Sequence, residues 1–372
     1  SHSNFEDRKI SIKAKDKYTY DNSGSNIIIG LGYTDDNMIR ASKMELVGKM
    51  KLVDTHMDLT KKTFESFALN TYKVNNFEFI QGLRYEKSKF DGSRRNLDDV
   101  STVKRDMNNW AGTLAVNHLY SDTGNVYLKY ERAFTSPSPS QLSDKVRTRS
   151  GAFDYVTNNL KSEKTDTFEI GFRDYILGST VSTSFFLTDT KDEITLISSG
   201  VTNPAVNRWK YRNIGKTRRM GIEFEAEQNV GKFRFNQSLT FVRTKVLVAN
   251  EEARLERGDE VPMVPRLKAT LGLRYNFTDK LAGFVNYTYL AKQQSRELRE
   301  NEDLNKDDVV VKHTIGGHGV VDAGFSYKPD AYSDIKIGAK NLFSKKYNLR
   351  ETSLEALPAP ERNYYLQLNV RF

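Results

Sequence analysis

The sequence predicts an all-β fold, a transmembrane antiparallel β-barrel, on three observations. Apolar and polar residues alternate with period two in stretch after stretch. Those stretches are joined in turn by tight turns and by long polar connections. No apolar run approaches the ~20 residues that a membrane-spanning helix needs, so any crossing falls to strands, whose hydropathy signal is weak because half their side chains are polar. A mean hydropathy of −0.63 with 38% hydrophobic residues is therefore compatible with a barrel.

The alternation is clearest over 266–277, RLKATLGLRYNF. Leu267, Ala269, Leu271, Leu273, Tyr275 and Phe277 share one face, while Lys268, Thr270, Arg274 and Asn276 share the other. Successive side chains of a strand point to opposite faces, and ~9–11 residues suffice for a tilted membrane crossing. The same pattern recurs over 77–86, 126–134, 222–227, 233–241, 321–327 and 335–340. In 222–227, Ile222, Phe224 and Ala226 oppose Glu223, Glu225 and Glu227. These glutamates are expected to line the lumen as partners for arginines on neighbouring strands. About 13 strands are expected from Phe64 onward, and weaker alternation at 6–14, 26–33 and 40–52 adds about three, for roughly 14–16 in all.

Turn chemistry places hairpins at Asn75-Asn76, Ser121 to Gly124, Leu177 to Ser179, Asn229 to Gly231, Thr278-Asp279 and Pro329-Asp330. Between them lie polar connections at 89–109, 135–163, 191–217, 245–264, 291–317 and 343–362. The short turns recur roughly every fifty residues, with long loops at the opposite end, which is the plan of an outer-membrane-type barrel. A soluble sandwich turns every 8–12 residues or so and does not fit.

The final strand, YYLQLNVRF over 364–372, sets Tyr364, Leu366, Leu368, Val370 and Phe372 on one face. An amphipathic last strand ending in an aromatic resembles the signal read by the barrel-assembly machinery of outer membranes. Tyr 19 and Phe 21 against 2 Trp suit aromatic girdles at a membrane interface. Cys 0 leaves no disulfide framework, thiolate metal site or cysteine nucleophile. The net charge of +9 is spread along the chain among 48 acidic residues, so no nucleic-acid partner is expected. The chain opens Ser1-His2-Ser3 without a signal peptide, and it is expected to be a fragment or a processed form of an exported protein.

Six segments together resemble TonB-dependent outer-membrane receptors. Gly82 to Glu86 (GLRYE) resembles the family's mid-barrel strand. Tyr130 to Phe134 with Pro137 and Gln141-Leu142 resembles its FRAP-type segment, and Asn159-Leu160 through Gly171 its NPNL-type segment. Gly221 to Glu225 resembles a GVELE strand. Asn341, Leu342 and Phe343, continuing to Tyr347, resemble the NLFDKKY signature, and Pro358 to Phe372 the family terminus.

The resemblance implies residues 1–372 as the C-terminal portion of a receptor barrel. A complete member has about 22 strands and a plugged lumen, so a partial barrel lacking the N-terminal plug is expected. It further implies an outer membrane of Gram-negative type, with lipid and lipopolysaccharide around the wall. TonB would be contacted through the missing plug. The implied function is TonB-coupled uptake of an iron chelate, a ferric siderophore. Haem uptake is one alternative, and a passive pore or structural, adhesive barrel is another.

Cationic and aromatic loop residues suit an anionic chelate through charge attraction and stacking. Loop 135–163 offers Lys145, Arg147, Arg149 and Tyr155, and loop 191–217 offers Arg208, Trp209, Lys210 and Arg212. Contact with lipopolysaccharide phosphates is an equal reading of the same cations. Loop 135–163 holds no His, whereas the family's haem receptors place a ligand His there; His313 and His318, in or beside 291–317, are the alternative haem candidates. No enzymatic constellation, resident cofactor or metal site is expected.

Overall fold

Alternation and turn chemistry translate into one large antiparallel sheet. A computed structural model describes residues 3–22, 24–45, 52–96, 99–147, 153–198, 209–248, 255–299, 309–351 and 356–371. The strands, in chain order, are β1 (Ser3–Asn22), β2 (Ser25–Glu45), β3 (Leu52–Val74), β4 (Phe77–Asn96), β5 (Asp99–Leu119) and β6 (Asn125–Thr135). Next come β7 (Ser143–Arg147), β8 (Phe153–Thr157), β9 (Glu163–Ile176), β10 (Ser179–Lys191), β11 (Ile194–Ser198) and β12 (Trp209–Asn213). The remainder are β13 (Lys216–Val230), β14 (Phe233–Val248), β15 (Leu267–Asn276), β16 (Leu281–Leu290), β17 (Gln293–Arg299), β18 (Val309–Ile315), β19 (His318–Tyr327), β20 (Ser333–Lys340), β21 (Asn348–Glu351), β22 (Ala356–Pro358) and β23 (Asn363–Val370).

A single 15-stranded sheet runs β1-β2-β3-β4-β5-β6-β9-β10-β13-β14-β15-β16-β19-β20-β23. The four remaining pairs, β7-β8, β11-β12, β17-β18 and β21-β22, are separate two-stranded hairpins inside the long connections. The strand count and the meander agree with a partial barrel. Upstream of Phe64 there are two strands besides the start of β3, not three: 40–52 spans the end of β2 and the start of β3, and 46–51 lies outside the described residues.

The expected loop at 89–109 is mostly strand, because β4 reaches Asn96 and β5 begins at Asp99, paired in register throughout. Outside a lipid layer the outward face has no need of apolar residues, so the pattern loses its hydrophobic half while the backbone ladder continues. The turn expected at Asn229 to Gly231 sits slightly later, since Val230 closes β13 and Phe233 opens β14. A further turn lies at Gly24. Its φ of +88° falls in the left-handed region, and a Cβ there would stand 2.7 Å from the Lys73 carbonyl oxygen, so only glycine fits.

Register fixes which face each residue takes. Leu83, Leu114, Leu128, Ile170, Phe185, Leu271 and Ile337 point outward and are more than a third exposed. An apolar belt left open on that scale fits a lipid environment, not water. The opposite face carries Glu86, Ser88, Asn109, Ser184 and Ser326, all buried. The small apolar clusters sit where loops fold over the upper inner wall: Met38, Met57 and Leu59; Phe90, Met107, Leu142 and Leu160; Ile214, Val246 and Leu255.

Candidate functional site

The site is the collar that the long connections build above the inner wall. It begins where β6 leaves β5. Beyond Arg132 the β5 ladder ends, and Ser136 and Pro137 turn inward, Pro137 being fully buried. Ser136 Oγ donates to Glu86 Oε1 at 2.5 Å and accepts from Asn109 Nδ2 at 3.0 Å. Glu86 also accepts from Ser88 Oγ at 2.9 Å and from Arg84 Nη2 at 3.4 Å. A buried carboxylate costs free energy unless it is paired and hydrogen-bonded, and Ser136, Ser88 and Arg84 supply that. The Arg84 guanidinium lies 5.4 Å from the centroid of Phe134. Phe134 and Pro137 thus anchor the strand exit to the wall.

The next layer is the segment Asn158 to Leu160. Asn158 Nδ2 donates to the Gln141 carbonyl at 2.7 Å and to Asp144 Oδ1 at 3.3 Å, while Arg105 Nη1 donates to the Asn158 carbonyl at 3.2 Å. Leu160 is buried with Phe90, Met107 and Leu142, and Ile194 and Tyr211 of the neighbouring hairpin pack on that cluster. Asn159 is exposed. Leu160 therefore pins the loop between β8 and β9 to the wall.

On this base stand β7-β8 and β11-β12. Arg212 Nη1 meets Asp144 Oδ2 at 2.7 Å, with the Asp144 side chain only 4% exposed, so one buried ion pair ties the two hairpins together. Arg219 holds Glu193 through two contacts at 2.6 and 2.8 Å, and Thr217 Oγ1 donates to the same carboxylate at 2.5 Å. The Ile194 amide donates to Glu163 Oε1 at 2.6 Å. Charge-assisted, two-pronged bonds of this kind fix geometry as well as position.

The expected ligand residues distribute as follows. Lys145 and Arg147 lie on β7 and Tyr155 on β8, with Lys145 opposite Tyr155. Trp209, Lys210 and Arg212 lie on β12. The structure thus brings one set beside the other. Arg149, Arg208 and Phe372 lie outside the described residues. His313 sits on β18 opposite Ser295, and His318 opens β19 opposite Leu290. The His318 ring stacks on Tyr347 with centroids 3.8 Å apart. Asn341 is a turn organiser: its amide donates to Asp322, its Nδ2 reaches the Lys345 and Pro360 carbonyls, and its Oδ1 accepts from the Lys345 amide. Leu342 hydrogen-bonds to the Val321 carbonyl, and Phe343 projects outward, largely exposed. Tyr364, Leu366, Leu368 and Val370 share the outward face of β23 and are exposed.

Sequence reasoning missed Asp144, Glu86 and Glu193, the carboxylates that hold the collar. Only the inward parity of Glu86 with Arg84 and Ser88 on β4 was available as a signal. Of the lumen glutamates, Glu227 meets Arg234 at 2.8 Å, while Glu225 and Glu227 line a recess with Arg173, Ser182, Asn236 and Thr270. Among the described residues no group of three or more His, Cys, Asp or Glu is placed to hold a metal ion.

Known proteins share this fold. The structure matches the copper transporter OprC with a TM-score of 0.77 at 17% identity, covering 98% of this chain and 57% of that one. It matches the ferric yersiniabactin uptake receptor FyuA from Yersinia pestis with a TM-score of 0.72 at 17% identity, covering 100% of this chain and 55% of that one. The unliganded ferric citrate transporter FecA gives 0.68 at 19%, covering 100% and 55%. At such identities the likeness is one of fold, and the chain spans little more than half the length of these proteins. A family model described as "TonB dependent receptor-like, beta-barrel" matches residues 4–342. With nine-tenths of its length matched by a family of receptors and transporters rather than enzymes, the chain belongs to the TonB-dependent receptor β-barrel family.

Proposed function

We propose that this chain forms part of the wall and the ligand-capturing loops of an outer-membrane receptor of a Gram-negative bacterium, and that its ligand is an anionic ferric chelate. The observation that carries the reading is the collar. Two hairpins bearing Lys145, Arg147, Tyr155, Trp209 and Lys210 stand side by side, joined by the Asp144–Arg212 pair. Cations above a lumen raise the local concentration of an anionic ligand, and aromatic faces stack on its flat aryl groups. Two of the matched structures, FyuA and FecA, are named for ferric chelates. Energy coupling to TonB is the task of a plug in the complete receptor, and no residue of this chain is assigned to it.

The test is a binding titration on the complete receptor in detergent, with ferric siderophores, haemin and copper ion, repeated on Arg147→Ala/Arg149→Ala. The reading expects tight binding of a ferric chelate that weakens at least tenfold in the variant. Haemin binding that depends on His313 or His318 would transfer the function to haem uptake. Copper binding alone, or no binding at all, would overturn the chelate reading, the latter in favour of a passive or structural barrel.

A further inference from the structure

One row of the inner wall, below the collar, combines bare backbone with aromatic rings. Across five adjacent strands the directly paired residues read Arg274 on β15, Phe284 on β16, Gly324 on β19, Gly338 on β20 and Tyr365 on β23. The two glycines leave the middle of the row without side chains. A Cβ on Gly324 would stand 2.8 Å from Phe284 Cζ, and one on Gly338 would stand 2.8 Å from the Tyr365 hydroxyl oxygen. Both rings therefore reach over a glycine and lie against the wall, where a larger residue would lift them. The result is a recess of about 560 Å³ with an aromatic floor, lined also by Arg274, Ser326, Lys336 and Lys340. That volume is in the range of small-molecule sites.

The charge of the recess is only partly answered from within. Arg274 donates from Nη2 to Ser326 Oγ at 2.9 Å and from Nε to Asn276 Oδ1 at 3.2 Å, both neutral acceptors. Lys340 Nζ lies 5.8 Å from the centroid of the Tyr365 ring. Neither cation has an ion-pair partner among the described residues. These five strands carry two carboxylates: Asp334 is taken by Lys336 at 3.6 Å, and Asp322 accepts from the Asn341 amide at 2.8 Å. Elsewhere on the inner wall Arg84, Lys129 and Arg234 each meet a carboxylate at 2.8 Å. The recess of similar size between β9 and β15, about 590 Å³, is lined by Glu225 and Glu227 and by no aromatic ring.

We infer that the recess between β15 and β23 is a second binding site, on the inner wall beneath the collar, for the anionic, aryl-bearing groups of the captured chelate. The remaining N–H groups of the Arg274 guanidinium form a planar fork that suits a carboxylate or a pair of phenolate oxygens. Lys340 adds a second positive charge, and Phe284 and Tyr365 offer faces on which an aryl ring stacks. Cations and rings together select an aromatic anion over an aliphatic one. The inference rests on the reading above that the ligand is an anionic ferric chelate, and it gives such a ligand a binding position on the wall in addition to the collar.

The experiment uses the complete receptor in detergent, with salicylate as an aryl carboxylate probe and cyclohexanecarboxylate as its non-aromatic counterpart. Titrations are run on Arg147→Ala/Arg149→Ala, so that those collar cations do not contribute. Expected is saturable binding of salicylate, tighter than that of cyclohexanecarboxylate. Adding Arg274→Gln/Lys340→Gln should weaken it about tenfold and adding Tyr365→Leu about threefold, while Glu225→Gln in the acidic recess changes nothing. Crystals of the complete receptor soaked in 3,5-diiodosalicylate should show the iodine signal over Phe284 and Tyr365. Equal affinity for the two anions, or an unchanged Arg274→Gln/Lys340→Gln variant, overturns the inference. So does an acidic side chain from the upstream part of the receptor seated on Arg274 in place of the probe. Ferric chelate titration on the unsubstituted receptor separates the two readings. Chelate bound at the collar with salicylate indifferent to Arg274 and Lys340 refutes the recess alone, whereas salicylate held in the recess without any chelate binding refutes the reading of the ligand.

Discussion

At one end of the sheet β9 meets β10 through Leu177 and Gly178; at the other, β10 reaches β13 through residues 192–215, which carry a hairpin of their own. The short turn is a local matter. Leu177 at φ 51° and Gly178 at φ 77° both adopt the left-handed region, the conformation whose twist matches two paired strands. The long connection has no lipid and no wall ladder to hold it. It relies on partly buried ion pairs and hydrogen bonds whose members are far apart in sequence, such as Arg212 with Asp144 and Arg219 with Glu193. Wall and collar therefore draw on separate sources of stability, so a ligand site can be altered in the collar without remaking the barrel.

The largest expected effect breaks the wall. Leu271→Arg places a charge on the outward face and should cost about 2–4 kcal/mol in a lipid-based unfolding titration, whereas Thr270→Arg, beside the inner recess, should cost little. Equal costs would mean that the facing assignment is wrong.

Collar variants come next. Asp144→Ala removes the carboxylate that Arg212 pairs with and one of the two acceptors of Asn158 Nδ2, at an expected cost of about 1–3 kcal/mol. Limited proteolysis should then cut the β7-β8 and β11-β12 region while the heat-modifiable barrel band persists. Loss of the barrel band instead would show the two regions to be one cooperative unit. Glu86→Ala removes one of the two hydrogen bonds that hold Ser136 to the wall and is expected to act in the same direction, by about 1–2 kcal/mol, seen as faster hydrogen exchange after β6.

The smallest effect lies at the short-turn end. The Asp330 carboxylate accepts from the Tyr332 and Ser333 amides, which hold its pKa below the usual carboxylate value. A lowered folded-state pKa means that this contribution is present above the ordinary carboxylate pKa and is lost as pH falls through the depressed one. Asp330→Asn keeps an acceptor and should remove only that acid-range dependence. A variant that still shows the full dependence would assign it elsewhere.

How far the sequence could be read follows the same division. The strand over 267–276 was legible because each outward residue must be apolar and each inward one need not be. The upper halves of β4 and β5 were not, since Lys87, Lys89 and Asp91 face outward where no lipid imposes a pattern. The collar hairpins look like loops in the sequence for that reason. Their cations could be named, but Asp144 could not, because its partner Arg212 is 68 residues away and nothing local marks the pair.

The position of the ligand is measurable, because these 372 residues hold no cysteine to compete with an introduced one. Single cysteines at Ser143→Cys on β7, Ser198→Cys on β11 and Asp122→Cys in the β5-β6 turn would each be labelled with a fluorophore in the complete receptor. A ferric siderophore quenches fluorophores at short range. The account predicts saturable quenching of both collar labels at the same ligand concentration, with the turn label unaffected. Quenching at Asp122→Cys equal to that at the collar, or none at either hairpin, would contradict it.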